Sequence, residues 1–170
     1  MSRLPVRKTY KLFVGGAFPR SESGRTYEAE GQNVARASRK DARDAVRAAR
    51  AAQPKWAAMT AYNRGQVLYR IAEMMEARHA ELAEVLATAD VPGGVVNILT
   101  GQREELAPVL AGHMDVNALD VSGADGEVAE LERLAAENVK RVVRGGADDQ
   151  SPWEIAGFLE LKTVWHPFGV

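Results

Sequence analysis

The most informative absence in this sequence is cysteine. None of the 170 residues is Cys, which excludes disulfide bonds, thiolate metal sites and a cysteine nucleophile. No apolar run reaches the roughly 18 residues of a membrane span, and no apolar segment follows Met1 as in a secretory signal, so we expect a cytoplasmic protein. The net charge is -1, which gives no broad basic field for nucleic acid or an anionic membrane.

Motifs for metals and for several common enzymes are also missing. The three histidines (His79, His113 and His166) form no i, i+3 or i, i+4 pair, so no metal site is predicted. His113 follows a predicted helix and is interpreted as a C-terminal capping residue. Neither Gly-x-Ser-x-Gly nor Gly-x-x-x-x-Gly-Lys occurs. The length and the hydrophobic fraction of 46% suit one globular domain.

Short strands are predicted near the start of the chain. Tyr10–Val14 is a candidate strand, Gly15 and Gly16 form a turn, and a return strand begins at Ala17. Thr26–Glu28 is a candidate for a third strand. The pattern indicates an N-terminal β-hairpin.

Helical patterns dominate the next part of the chain. Ser38 with Asp41 three positions later predicts an N-capped helix, which Pro54 is expected to end. Its apolar stripe comprises Ala42, Ala45, Val46, Ala49 and Ala52. Asn63 is expected to cap a second helix, and Leu82–Asp90 would pass as its continuation. The buried stripe of this second helix is predicted to comprise Val67, Leu68, Ile71, Met74 and Met75.

Two strand, glycine turn and helix units follow. In the first, Val95–Leu99 is predicted to be a buried parallel strand, which Thr100 and Gly101 terminate before a helix that begins at Arg103. In the second, the apolar residues between Val116 and Val121 predict a strand. Ser122 and Gly123 then precede a helix predicted over residues 127–138. Such units are typical of nucleotide-binding α/β sheets.

The segment from Pro92 to Gly101 resembles the Pro-Gly-Val-Val-Asn-(Val/Ile)-Leu-Thr-Gly motif of the NAD(P)-dependent aldehyde dehydrogenase superfamily. Other stretches resemble the same family in the same order, among them 42–56, 63–78, 113–123, 138–146 and 158–169. The resemblance implies an α/β fold with a partial Rossmann-like parallel sheet, flanking helices, an N-terminal β-hairpin and a C-terminal edge strand. It divides the single domain 1–170 into four parts. These are a hairpin (10–30), helices (38–90), a nucleotide-binding-like βαβ segment (91–147) and an oligomerisation-like strand (158–170).

The resemblance also implies a cofactor site for NAD or NADP. The residues it assigns to that site are Thr100, Gly101, Ser122, Gly123 and Gly126. The sequence Ala124-Asp125-Gly126 replaces the family's Ser-Thr-Glu, which removes a hydroxyl donor and places a carboxylate near the diphosphate. A like charge there costs about 1 kcal/mol, so cofactor binding is expected to be weakened or lost.

The resemblance leaves no catalytic residue in this chain. Alignment on Gly145 and Gly146 puts Val143 where the family has its general-base Glu, and valine cannot accept a proton. The cysteine nucleophile is absent as well. Residues 79–82 are interpreted as a seam, because the block that the family places between two helices there is missing. An active dehydrogenase is therefore disfavoured.

Two functions stay open. The segment Glu160–His166 resembles a C-terminal strand that joins a neighbouring subunit in the family, and such an apolar edge strand needs a partner. This favours a catalytically inactive structural or regulatory partner subunit, in a homo-oligomer or with a full-length aldehyde dehydrogenase. The alternative is an NAD(P)-binding oxidoreductase-family module that acts on aldehydes.

Overall fold

The computed structural model describes residues 8–78, 81–145 and 151–160. Within them lie β1 (Thr9–Tyr10), β2 (Thr26–Ala29), β3 (Gln32–Ala35), α1 (Arg39–Ala58), α2 (Ala61–Arg78), α3 (Leu82–Thr88), α4 (Arg103–Gly112), β4 (Ala118–Asp120), α5 (Val128–Ala136), β5 (Arg141–Val143) and α6 (Pro152–Gly157). This confirms the predicted α/β class with a partial Rossmann-like sheet. No helix in the described ranges has the length and apolarity to cross a membrane. Of the predicted strand Glu160–His166, all residues after Glu160 lie outside the described ranges.

The N-terminal sheet has three strands in the order β1-β3-β2, with β1 parallel and β2 antiparallel to β3. The predicted strand Tyr10–Val14 is wrong beyond Tyr10. The chain leaves the sheet there, and Leu12 N donates to Pro19 O at 3.2 Å. The predicted turn at Gly15 is present, but only one isolated bridge flanks it, between Val14 and Ala17. The hairpin joins β2 and β3 instead, and β3 was not predicted because its sequence, Gln-Asn-Val-Ala, has no clear apolar alternation.

Helix α1 begins as predicted. Ser38 Oγ accepts from Asp41 N at 3.3 Å, and Asp41 Oδ2 accepts from Ser38 N at 2.8 Å, which completes a capping box. The expectation that Pro54 ends the helix is wrong, since α1 continues to Ala58 and contains Trp56. Proline removes one backbone hydrogen bond, and the alanine-rich sequence around it retains the remaining helical bonds.

Helix α2 differs from its prediction at two residues. Thr60, not Asn63, caps it, because the Thr60 hydroxyl accepts from Asn63 N at 3.2 Å and thereby places Asn63 in the first turn. The predicted buried Leu68 is 59% exposed. The reason is that α2 packs mainly against the short helix α3, which covers only a narrow face of α2. Val67 is buried on that face.

Helix α3 does not continue α2, contrary to expectation. Instead, α3 runs back along α2, because residues at the end of the α3 segment contact residues nearer the start of α2. Arg78 contacts Glu81, and Arg70 pairs with Asp90 at 2.5 Å. The reversal lets α3 bury Val85, which is fully inaccessible to solvent and would gain no such cover on a straight extension.

The predicted parallel strand Val95–Leu99 is also wrong. The segment is a half-buried loop with one isolated antiparallel bridge between Phe13 and Ile98. Phe13 N donates to Ile98 O at 3.0 Å, and Ile98 N donates to Phe13 O at 2.7 Å. Apart from this bridge the segment joins no ladder in the described residues, and an apolar run without neighbouring strands cannot form a sheet.

The side chain of Asn97 holds this loop in place. Its Oδ1 accepts from Gly15 N at 2.9 Å, and its Nδ2 donates to Gly94 O at 2.8 Å and to Ala45 O at 3.4 Å. Gly94 has φ +95, and a Cβ there would lie 2.6 Å from Ala48 O. Glycine is therefore required where the loop crosses α1.

The second sheet positions the site. Strands β4 and β5 are parallel and are connected through α5, with Leu119 opposite Val142. The predicted strand and the helix after it are thus confirmed. Leu131 and Ala135 of α5 are buried, and Leu131 packs in a cluster with Ala111, Val121 and Ala124.

Candidate functional site: a cleft at the ends of two parallel strands

A cleft of about 660 Å³ lies beside β4 and β5. Ser122, Gly123 and Asp125 follow β4 and line one side, while Arg144 and Gly145 follow β5 and line another. Val128 in the first turn of α5 completes it. Because parallel strands have their carboxyl ends at one edge, and a helix N-terminus lies there, this is the usual position of a nucleotide site in an α/β sheet.

The loop after β4 has an open, turned backbone. Gly123 has φ +74 and Gly126 has φ +83, and a Cβ at either position would meet no atom within 4 Å. Ser122 N donates to Asp120 Oδ1 at 2.8 Å, so this amide is already satisfied within the loop. Ala124 N donates to Val121 O at 3.1 Å, and Glu127 N donates to Ala124 O at 3.0 Å. Three of the six amides from Ser122 to Glu127 are therefore already bonded, which leaves fewer of them to bind an anion.

Acidic side chains surround the cations at this edge. Arg144 makes two hydrogen bonds of 2.6 Å to the carboxylate of Glu132, and Asp125 is exposed beside it in the cleft. The carboxylate of Glu154 from α6 lies against Gly145, where a Cβ would collide with it. The acidic side chains around the cleft therefore disfavour the binding of a negatively charged diphosphate.

Arg103 links the two predicted glycine turns. It is the first residue of α4, its guanidinium donates to Gly123 O, and its Nε lies 3.3 Å from Glu127. The structure thus brings Ser122 and Gly123 into the cleft, with Gly126 in the same loop, and the start of α4 beside them.

Thr100 and Gly101 do not line this cleft. The Thr100 hydroxyl donates to Ala35 O at 2.6 Å. A Cβ at Gly101 would lie 2.7 Å from Leu106 Cδ1, so the glycine allows α4 to pack closely. Both residues have structural contacts here, and their assignment to cofactor binding stays a prediction.

Sequence reasoning missed three charged residues at this edge: Arg103, Arg144 and Glu154. Arg103 was identified only as the start of a helix. No sequence spacing indicates the pairing of Arg144 with Glu132 across α5 and β5, or the approach of α6 to Gly145.

Among the described residues, the titratable groups that line the cleft are Asp125 and Arg144. Val143, at the end of β5, is half-buried and offers no proton acceptor. Lys140, at the other end of β5, has a pKa lowered by burial of its ammonium group, which has no hydrogen-bond partner among the described residues. Within the described ranges no three His, Asp or Glu side chains come together as a metal site.

Comparison with known proteins identifies the family. The sequence profile of the Aldehyde dehydrogenase family matches residues 25–89 and 79–148, which together cover more than half of the chain. The chain belongs to the aldehyde dehydrogenase family. The two matched pieces overlap at residues 79–89, a stretch that contains the predicted seam at 79–82. This aldehyde dehydrogenase family member is thus matched in two overlapping pieces that meet at the predicted seam.

Solved aldehyde dehydrogenases have the same fold. An enzyme from Bacillus cereus in complex with NAD+ is 18% identical with a TM-score of 0.72, over 79% of this chain and 50% of the other. An NAD-dependent enzyme from Sinorhizobium meliloti is 19% identical with a TM-score of 0.70, over 80% and 49%. A variant of aldehyde dehydrogenase C from Pseudomonas syringae, solved with NAD+ and octanal, is 18% identical with a TM-score of 0.71, over 81% and 50%. The chain spans about half the length of these proteins.

Proposed function

We propose that this aldehyde dehydrogenase family member is a non-catalytic partner subunit, located in the cytoplasm, with a structural or regulatory role. The absence of both catalytic groups from these residues carries the proposal. The 170 residues contain no Cys, and the position aligned with the family's general base is Val143, so neither the nucleophile nor the base of aldehyde oxidation is available.

The apolar surface of α6 supports the subunit role. Trp153 is 81% exposed and Ile155 is 70% exposed, and Leu159 just after the helix is exposed as well. Large apolar side chains grouped in one short segment are typical of protein–protein contacts. They lie directly before the segment that resembles the family's oligomerisation strand, and the partner is either a second copy or a full-length aldehyde dehydrogenase.

Replacement of Trp165 by Ala is expected to lower the assembled mass measured by light scattering. A buried aromatic in an interface contributes about 2 kcal/mol or more, so the dissociation constant should rise at least about thirtyfold. Trp165 lies outside the described residues, and the prediction rests on its place in the predicted strand.

The matched control is Tyr62→Ala. Tyr62 is 73% exposed on α2, outside the C-terminal segment, and its loss should leave the mass unchanged. An unchanged mass for Trp165→Ala, or a monomeric wild-type chain that also fails to join a full-length family member, would contradict the partner-subunit role.

A second function is favoured by the cleft: weak binding of NAD or NADP. Two relatives were solved with NAD+, and Ser122 and Gly123 lie in the cleft between the end of β4 and the start of α5. A bound cofactor would supply a hydride acceptor, whereas this chain's residues would only hold and orient it. Asp125 and the paired state of Arg144 would weaken that binding.

NAD titration in the presence of an aldehyde tests both functions at once. We expect thermal stabilisation that grows with NAD concentration and no formation of reduced NAD. Asp125→Ser should bind NAD about fivefold more tightly, because it removes a like charge worth about 1 kcal/mol from the diphosphate site.

Glu76→Gln is the control for total charge, since it removes one negative charge from α2, which does not line the cleft. Its NAD affinity should equal that of the wild type. Reduced NAD formed by the wild type would refute the non-catalytic role. Equal affinities of wild type and Asp125→Ser, or no stabilisation in either, would refute cofactor binding at the cleft.

A further inference from the structure

A second cavity lies on the N-terminal sheet, apart from the cleft described above. Its volume is about 500 Å³, and its basic lining residues are Lys11, Arg20 and Arg25. They come from three parts of the chain: the end of β1, the loop after Pro19 and the start of β2. Among the described residues, no acidic side chain lines the cavity, and none of the three cations makes an ion pair with another of these residues.

The loop that carries the two arginines is fixed by backbone hydrogen bonds. Gly24 N donates to Ser21 O at 3.0 Å, and Arg36 N donates to Arg25 O at 2.9 Å. Ser21 is 5% exposed, and its hydroxyl donates to Asp41 Oδ2 at 2.8 Å. The backbone positions of the arginines are therefore set in advance, which reduces the ordering cost of holding an anion.

Three acids close to this loop in the sequence or the sheet do not line the cavity. Glu22, in the loop itself, pairs with Lys40 at 3.6 Å and accepts from Ser38 Oγ at 3.2 Å. Asp41 lies behind Ser21 and accepts hydrogen bonds from Ser21, Ser38 and Glu22, with both of its oxygens used. Glu28 is paired in register with Asn33 on the same face of the sheet but does not line the cavity. Positive charge thus predominates among the described residues that line the cavity.

We propose that this cavity binds a small anion through its phosphate group, either inorganic phosphate or a phosphomonoester. Arginine guanidinium groups match phosphate oxygens in geometry and form charge-assisted hydrogen bonds with them. Thr26, at the start of β2, adds a hydroxyl donor to the lining. The volume exceeds that of a phosphate ion, which leaves room for the organic part of an ester.

The test is calorimetric titration of the full chain with inorganic phosphate at low ionic strength, where screening is weak. Saturable one-site binding is expected. Arg20→Gln and Arg25→Gln should each weaken it about tenfold, as for loss of one charge-assisted hydrogen bond. Titration with glycerol 3-phosphate then distinguishes the sources, since tighter binding than that of inorganic phosphate indicates an ester and weaker binding indicates the free ion.

Lys55→Gln is the matched control. Lys55 is an exposed cation without an ion pair in the described structure, and it lies 14 residues beyond Asp41 on α1, about 20 Å along the helix. Phosphate affinity should not change. No binding, binding that survives both arginine substitutions because phosphate occupies the loop at Gly123, or an equal loss in Lys55→Gln would each overturn the proposal.

Discussion

Asp41→Ala is expected to lower the free energy of unfolding by about 3 kcal/mol, since the change leaves several donors without an acceptor. Asp41 is 8% exposed. Its carboxylate accepts from Ser21 Oγ at 2.8 Å, from Ser38 N at 2.8 Å and from Glu22 N at 3.1 Å. It therefore joins the cap of α1 to the loop before β2, two parts of the chain that are about 20 residues apart in sequence.

Asp44→Ala is the control on the same helix. Asp44 pairs only with Arg47 among the described residues, at 3.1 Å on the exposed face, and such pairs contribute at most about 0.5 kcal/mol. Urea denaturation of both variants gives the comparison. A loss in Asp41→Ala no larger than that in Asp44→Ala would show that the buried network does not stabilise the fold.

The same network predicts the sign of a pH effect. Burial alone raises the pKa of Asp41, but the hydrogen bonds from Ser38, Ser21 and Glu22 outweigh it and lower the pKa below the usual 3.8. A carboxyl whose pKa is lower in the folded state stabilises the fold above its unfolded-state pKa, and loses that contribution as the pH falls through the folded-state value. The stability difference between wild type and Asp41→Ala should therefore shrink below about pH 4.

Local rules predicted the parts of the fold that depend on neighbouring residues. The capping box of Ser38 and Asp41, the turn at Gly15 and the helix after Gly126 each follow from a few consecutive residues, and each is present. The position of His113 at the C-terminal cap of α4 is of the same kind. Such features need no knowledge of the tertiary contacts.

Predictions that depended on contacts between distant segments of the chain were less often correct. Val95–Leu99 has the composition of a buried strand, yet it has Phe13 as its bridge partner instead of a parallel neighbour. Pairing decides whether an apolar run becomes a strand. The seam at 79–82 was interpreted as the place of a missing block, and the course of the chain after it depends on contacts between separate segments. The reversal of α3 along α2 is such a long-range feature.

The same contrast between local features and long-range contacts applies to the candidate site. Ser122 and Gly123 were recognisable from the strand before them and the helix after them. The neutralisation of Arg144 by Glu132 and the approach of Glu154 to Gly145 depend on contacts between separate elements. The charge distribution at the cleft was therefore not predictable from the sequence, whereas the position of the turn was.

Leu12→Ala is expected to destabilise the chain by about 3 kcal/mol, because it removes a large side chain from a closed core and leaves a cavity. Leu12 is 1% exposed and packs with Ala35, Ala37, Ala42 and Leu106. Most of these neighbours are alanines, which are too small to move into the vacated space. The cavity should therefore stay largely open, and the cost should fall within the usual range of about 2–5 kcal/mol.

Leu68→Ala makes the matched comparison, because the chemical change is identical and the environment is opposite. The helical pattern places Leu68 in the buried stripe of α2, whereas the structure leaves it 59% exposed. A loss of about 0.5 kcal/mol or less is expected there. Denaturant unfolding of both variants separates the two cases. If Leu68→Ala costs as much as Leu12→Ala, then α2 is covered in solution, and the exposed face is an interface of the assembled protein.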